Sequence, residues 1–171
     1  MNLVEYNPVH LSDIIIENKN KVLNTISDCI KHEKMNMLLL GNVPKQVVHL
    51  IITDYFNKTH NISPPKSAVL IVDCFSDLNL NATNNDIVIF SKSKYNFKKF
   101  VVVYNLEHIA ENIQVYFKNI MNRNTFFIFC SDCLQKVYET ILTRCVHIWF
   151  TPLKYDTYTE LLQLLCKQES I

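Results

Sequence analysis

Met37-Leu38-Leu39-Leu40-Gly41-Asn42-Val43-Pro44 is a continuous apolar run that stops at a glycine and a short turn. A strand without polar alternation has to be covered on both faces, as in the interior of a parallel sheet. Beyond the turn, residues 46–56 place Val47, Ile51 and Tyr55 at helical spacing. The stretch therefore predicts a strand, a turn and a helix that packs back on the sheet.

The same alternation extends outward. Upstream, Ile14-Ile15-Ile16 leads into a predicted helix over 19–31 built on Val22, Leu23, Ile26 and Ile30. Downstream, a loop holding Pro64-Pro65 precedes a predicted buried strand over 68–73. Residues 76–85 read as polar and irregular, and 86–90 is too short to assign as strand or helix. Then come a strand over 100–104, a helix over 110–121, a strand over 125–130, a helix over 134–142, a strand over 146–150 and, after Pro152, a helix over 155–167. This order predicts a single α/β domain, residues 1–154, with helices on both faces of a mostly parallel sheet, followed by a C-terminal helical piece over 155–171.

Hydrophobic residues make up 49% of the chain and charged residues 19%, the balance of a packed core and not of disorder. A formal charge of +1 removes any global electrostatic reason to bind nucleic acid or an acidic membrane, so such a contact needs a local patch. Apolar runs such as 126–130 fall far short of the roughly 20 residues that cross a bilayer. Glu5 and Asp13, without an apolar h-region, read as no signal peptide. The six cysteines, Cys29, Cys74, Cys130, Cys133, Cys145 and Cys166, lie mostly in apolar stretches where a reduced thiol behaves as a small hydrophobe. The expected compartment is reducing, cytoplasmic or nuclear, with no membrane partner. Gly41 is the only glycine where about a dozen would be usual, so backbone wrapped around phosphates is not expected. Asn, Ile, Lys and Tyr are plentiful and Gly, Ala and Arg scarce, the bias of an A+T-rich coding sequence.

Several segments share one likeness. They are Tyr6-Asn7-Pro8 with Leu11-Ser12-Asp13-Ile14-Ile15, Leu38 to Val48, Lys99-Phe100-Val101-Val102-Val103-Tyr104-Asn105-Leu106-Glu107, Phe126-Phe127-Ile128-Phe129-Cys130-Ser131, and Val137-Tyr138-Glu139-Thr140-Ile141-Leu142-Thr143-Arg144-Cys145 followed by Phe150-Thr151-Pro152-Leu153. In element order and in these sequences, residues 6–155 resemble the ATPase domain of replication factor C small subunits and related clamp loaders of the AAA+ superfamily. The resemblance implies a three-layer α/β/α P-loop-type domain with about five parallel strands in the order 5-1-4-3-2, and makes 155–171 a vestige of the family's lid.

The resemblance also locates the nucleotide motifs. A working P-loop turns glycine amides toward phosphates, sets a lysine at the β/γ-phosphates and a hydroxyl on Mg²⁺. Here Gly41 keeps the first glycine, and Gln46, Val47 and Val48 stand at the Gly-Lys-Thr positions, with Lys45 one place early. Tyr104 and Asn105 occupy the positions of the metal-supporting aspartate and water-activating glutamate, Glu107 is read as facing solvent or capping the next helix, and Ser131 replaces the residue that senses the γ-phosphate. The expectation is a domain that does not hydrolyse ATP and carries no cofactor. Arg144 matches the family's arginine finger, a cation offered in trans to a neighbouring subunit. Its alternative role is to pair a carboxylate or cap the preceding helix.

Other groupings stand on their residues alone. Cys130, Cys133, Cys145 and His147 supply donors for zinc, but only one Cys-x-x-Cys exists and no metal is predicted. No local signature selects a catalytic Cys-His pair. Ile113, Tyr116 and Phe117 match the hydrophobic-x-x-aromatic-aromatic part of sliding-clamp peptides, though the same spacing makes a helix core stripe. Lys92, Lys94, Lys98 and Lys99 beside Tyr95 and Phe97 form a basic, aromatic cluster that can touch phosphate and stack a base, or simply be solvated.

The reading taken from all this is a non-catalytic, clamp-loader-like scaffold in DNA replication of a large DNA virus, with protein partners such as the sliding clamp. One rival is a weak ATPase, or a partner that completes one through Arg144. Another is an interaction protein unrelated to replication, since fold does not fix function.

Overall fold

The computed structural model describes residues 8–75, 80–121, 124–156, 159, 162 and 163. Five strands, β1 (Met37–Leu40), β2 (Val69–Asp73), β3 (Lys99–Tyr104), β4 (Thr125–Ser131) and β5 (Val146–Trp149), form one sheet. All neighbouring pairs are parallel, in the order β2-β3-β4-β1-β5. This is the order implied by the resemblance, counted from the other edge. The helices are α1 (Lys19–Lys31), α2 (Lys45–His60), α3 (Leu80–Lys92), α4 (Glu111–Ile120) and α5 (Glu139–Leu142).

Alternation along the strands sends each one's apolar residues to two separate cores. Met37 and Leu39, Phe100 and Val102, and Phe126 and Ile128 join α1 and α2 on one face. Leu38 and Leu40, Val101 and Val103, and Phe127 and Phe129 join α3, α4 and α5 on the other. Every residue of β1, β3 and β4 is buried, so these strands need no polar face; β1 reads in sequence as an unbroken apolar run, and β3 and β4 as apolar runs bounded by the buried polar residues Lys99, Thr125 and Ser131. Aromatic side chains thicken both cores. Tyr55 meets Phe100 and Phe126 edge-on at centroid distances of 5.1 and 5.7 Å, and Phe117 meets Phe129 at 5.2 Å.

Three expectations are corrected. β2 is an edge strand and not a fully buried one, with Ile71 62% exposed, because among the described residues it pairs only with β3. The segment read as irregular and undecided is α3 over its described part. Ile87 is buried in the second core, with Val88 and Phe90 packed against it, and that packing overrides the low helix propensity of an asparagine-rich stretch. The helix expected over 134–142 is instead a 3₁₀ turn (Leu134–Lys136) and the single-turn α5, separated by Val137 and Tyr138 in extended conformation. Buried Gln114 of α4 holds that break open. Its Nε2 donates to the carbonyls of Ile109 and Lys136 at 3.1 and 2.8 Å, and its Oε1 accepts the Tyr138 N–H at 2.8 Å, a donor that a continuous helix would have spent internally. Of the helix expected over 155–167, residues 155, 156, 159, 162 and 163 are helical; the remainder of 155–171, with Cys166, lies outside the described residues, as do Tyr6, Asn7 and 76–79.

Gly41 closes β1. Its φ of +100° is open to glycine and strained for other residues, and an added Cβ would stand 2.7 Å from the Phe150 carbonyl oxygen. The approach is fixed from both sides: the Phe150 N–H donates to the Leu40 carbonyl at 2.8 Å, and the Gly41 N–H to the Ser131 carbonyl at 3.1 Å. Gly41→Ala is expected to lower the unfolding free energy by more than about 2 kcal/mol, read from urea denaturation, because the clash is with backbone and cannot be relieved by a rotamer.

Candidate functional site

In parallel α/β sheets, ligands gather outside the carboxyl ends of the strands. Here the ends of β1 and β4 and the turn after β3 border a cavity of about 310 Å³ lined by Gly41, Asn42, Lys45, Asn105, Ser131 and Asp132, among others. β2 ends beside it: Asp73 is in register with Tyr104 at the end of β3.

A polar network organises this end. Lys45, the first residue of α2, places its ammonium 2.9 Å from Asp73 Oδ2 and 5.1 Å from the centre of the Tyr104 ring. Asn105 Nδ2 donates to Asp73 Oδ1 at 2.6 Å, and the Phe75 N–H donates to the same oxygen at 3.2 Å. Asn105 sits in the left-handed region at φ 56°, ψ 46°, which asparagine tolerates better than most residues. The Lys45 ammonium, joined by the Asn105 amide and the Phe75 N–H, holds the Asp73 carboxyl below its ordinary value. Burial pushes the Tyr104 phenol well above its usual range, so it stays neutral.

The positions matched to the P-loop divide. Gly41 and Lys45 line the cavity, whereas Gln46 is exposed outside it, and Val47 and Val48, 2% and 1% exposed, belong to the core shared by α1 and α2. The Ser131 hydroxyl is engaged within its own turn, accepting from the Cys133 N–H at 3.2 Å and lying 3.3 Å from the Cys133 carbonyl. A magnesium-bound triphosphate does not fit this set. One lysine is present and its ammonium is on Asp73, two valines fill the lysine and hydroxyl positions, and no further glycine turns an amide inward.

The remaining sequence candidates lie elsewhere. Glu107, expected at the surface or on a helix end, is tucked in: its side chain is 9% exposed and its Oε2 has no hydrogen-bond partner among the described residues. Arg144 Nη1 donates to the Thr140 carbonyl at 3.0 Å, capping α5, while the residue stays exposed. On α4, Phe117 is 1% exposed in the core, Ile113 is half-buried against it, and Tyr116 is 43% exposed; the three do not form one surface. Lys92 and Lys94 are exposed and Lys98 is half-buried with its ammonium 5.6 Å from the Phe126 ring centre. Lys99 is 1% exposed. Its ammonium donates to the carbonyls of Phe90, Ser91 (3.2 Å) and Ser93 (2.5 Å), so it is a structural cation at the end of α3 and unavailable to DNA.

Cys130 is buried, and desolvation raises its thiol far above the usual range; burial likewise pushes Cys145 up to about 12. His147 has a ring nitrogen 2.9 Å from the Leu142 carbonyl. Among the described residues no group of three or more His, Cys, Asp or Glu is placed to hold a metal, and no helix is long and apolar enough to cross a membrane.

The structure is similar to the DNA polymerase III gamma subunit-related protein of Thermotoga maritima, with a TM-score of 0.55 and 12% identity over 80% of this chain and 47% of that one. It is similar to the Aeropyrum pernix ORC1 protein solved in complex with DNA, with a TM-score of 0.61 and 8% identity over 94% and 52%, and to Thermotoga maritima RuvB, with 0.64 and 10% over 96% and 55%. The fold is that of the AAA+ P-loop domains. At these identities the likeness carries the fold alone, and the chain spans about half the length of these three structures. No protein-family model and no curated protein matches the sequence.

Asp73 escaped the sequence reading, although an acid at the carboxyl end of a predicted parallel strand was a usable signal. Because its folded pKa lies below the ordinary 3.8, the carboxylate's stabilising contribution is complete above that value and is lost as pH falls through the folded pKa. Asp73→Asn is therefore expected to cost up to about 1 kcal/mol near neutral pH, the exposed Lys45 being screened by water. In denaturant titrations across pH, the variant should lose less of its remaining stability in acid than the parent.

Proposed function

We propose that this AAA+-fold chain works without hydrolysing ATP, as a clamp-loader-like subunit or scaffold that docks on protein partners in DNA replication, with an origin in a large DNA virus. The observation that carries the reading is the composition of the carboxyl end of the sheet. Val47 and Val48 are packed in the core, and the neighbouring lysine is engaged by Asp73. A triphosphate arriving there would have to break that ion pair and would find no hydroxyl at the metal-ligand position of the P-loop. The replication setting is supported by the similar structures, which include a DNA polymerase III gamma subunit-related protein and a DNA-bound ORC1 protein.

A second reading is favoured by one observation: the Arg144 residue is exposed at the end of α5, tethered within the chain to Thr140 and Thr143. On that reading the chain offers a cation to nucleotide held by another subunit. For partner docking, α4 presents Tyr116 and Val115, while Phe117 is committed to the core.

The test is a titration of the purified chain with a fluorescent ATP analogue and Mg²⁺, with melting temperature as a second readout, since a ligand bound only by the native state raises it. The expected result is no saturable binding and no rise in melting temperature at millimolar nucleotide. Micromolar affinity with a matching rise would overturn the proposal and restore an ATPase.

A further inference from the structure

A second cavity, of about 560 Å³, opens at the opposite end of the sheet, where β3 begins at Lys99 and Asn124 leads into β4. It is built by the ends of α2 and α3 and by the loop between α3 and β3. Four lysines, Lys92, Lys94, Lys98 and Lys99, and one acid, Glu33, line it. Cations at the carboxyl ends of helices are the ordinary complement of the carbonyl dipoles there. At the end of α3 that place is taken by Lys99, whose buried ammonium donates to the carbonyls of Phe90, Ser91 and Ser93, so that Lys92 and Lys94 are left at the exposed rim. Neither of those two lysines makes an ion pair among the described residues.

The walls are aromatic. Phe97 lies against His60 with ring centroids 4.9 Å apart and against Tyr95 at 6.1 Å, and Tyr95, 38% exposed, is fixed through its hydroxyl to Ser67 Oγ at 2.7 Å. The cavity is also lined by Tyr55 and by Ser91, whose buried hydroxyl has no hydrogen-bond partner among the described residues. Burial pushes the Tyr55 phenol up to about 12, so it remains a neutral donor. A buried hydroxyl left without a partner is costly, and a polar atom that reached Ser91 would relieve that cost.

We propose that this cavity binds single-stranded nucleic acid, one unstacked base entering against the Tyr95 and Phe97 rings while Lys92 and Lys94 hold flanking phosphates. The combination of π-faces in a concavity with cations on its rim suits a splayed base and not a duplex, whose bases are stacked away from such rings. With a chain charge of only +1, the contact is local and depends on the strand reaching the cavity. The proposal is independent of whether the opposite end of the sheet binds nucleotide.

Fluorescence anisotropy with a labelled short oligothymidylate, its duplex form and an abasic oligomer of equal length tests it. The expected order is tight binding of the single strand and much weaker binding of the other two. Tyr95→Ala is expected to weaken the single strand about ten-fold while Tyr95→Phe keeps affinity. Lys92→Gln/Lys94→Gln should reduce the slope of log affinity against log salt by about 1.4, as expected when two phosphates are no longer neutralised. Melting curves verify that each variant is folded, and Ser67→Ala, which removes the same hydroxyl contact without the ring, should bind as the parent does. Absence of binding, equal affinity for the duplex or abasic strand, an unchanged Tyr95→Ala variant, or preference for an acidic peptide or anionic vesicles over the oligonucleotide would overturn the assignment.

Discussion

Four apolar residues, Met37 to Leu40, have to be hidden on both faces at once, and the chain must then leave the sheet at Gly41, where an added Cβ would stand 2.7 Å from the Phe150 carbonyl oxygen. That double demand places β1 between β4 and β5, separates the two cores and aims α2 back across the sheet. It also explains why a chain with a single glycine keeps it here. The turn at Gly41 is needed for the fold itself.

The carboxyl end of the sheet carries an internal polar network beside its cavity. Lys45 and Asn105 converge on Asp73, Tyr104 backs them with a ring, and Val47 and Val48 continue the apolar core to the start of α2. The parts are consistent with one another: Val47 and Val48 pack in the core, and the acid at the end of β2 supplies the partner that Lys45 takes. The amino end shows the converse arrangement. There one buried lysine satisfies the carbonyls of α3 while its neighbours stay at the rim.

How much of this was legible depended on how local its cause was. α1 and α2 and the strands β1, β3 and β4 could be read to within a few residues because their burial is written as period in the chain itself. β2 has equally apolar residues, and nothing in them says that only one neighbour will pair with it. α3 was hidden by its asparagines and α5 was overestimated, in both cases because tertiary contacts, the packing of Ile87 and the hydrogen bonds of Gln114, overrode propensity. The site followed the same rule. Asp73 meets Lys45 and Asn105 from 28 and 32 residues away, and Lys99 finds its carbonyls through a loop, so neither role is visible to neighbours in sequence. Phe117 shows the reverse error, a motif-like aromatic whose spacing was that of the core.

The most direct measurement is the distance from Lys45 Nζ to Asp73 Oδ2 in crystals grown with Mg²⁺ and a non-hydrolysable ATP analogue. A lysine held by Asp73 predicts that the pair stays together, near 2.9 Å, with no phosphate at the start of α2. A Lys45 side chain swung away from Asp73 onto phosphate oxygens, with Asn42 and Val43 amides turned toward them, would contradict it.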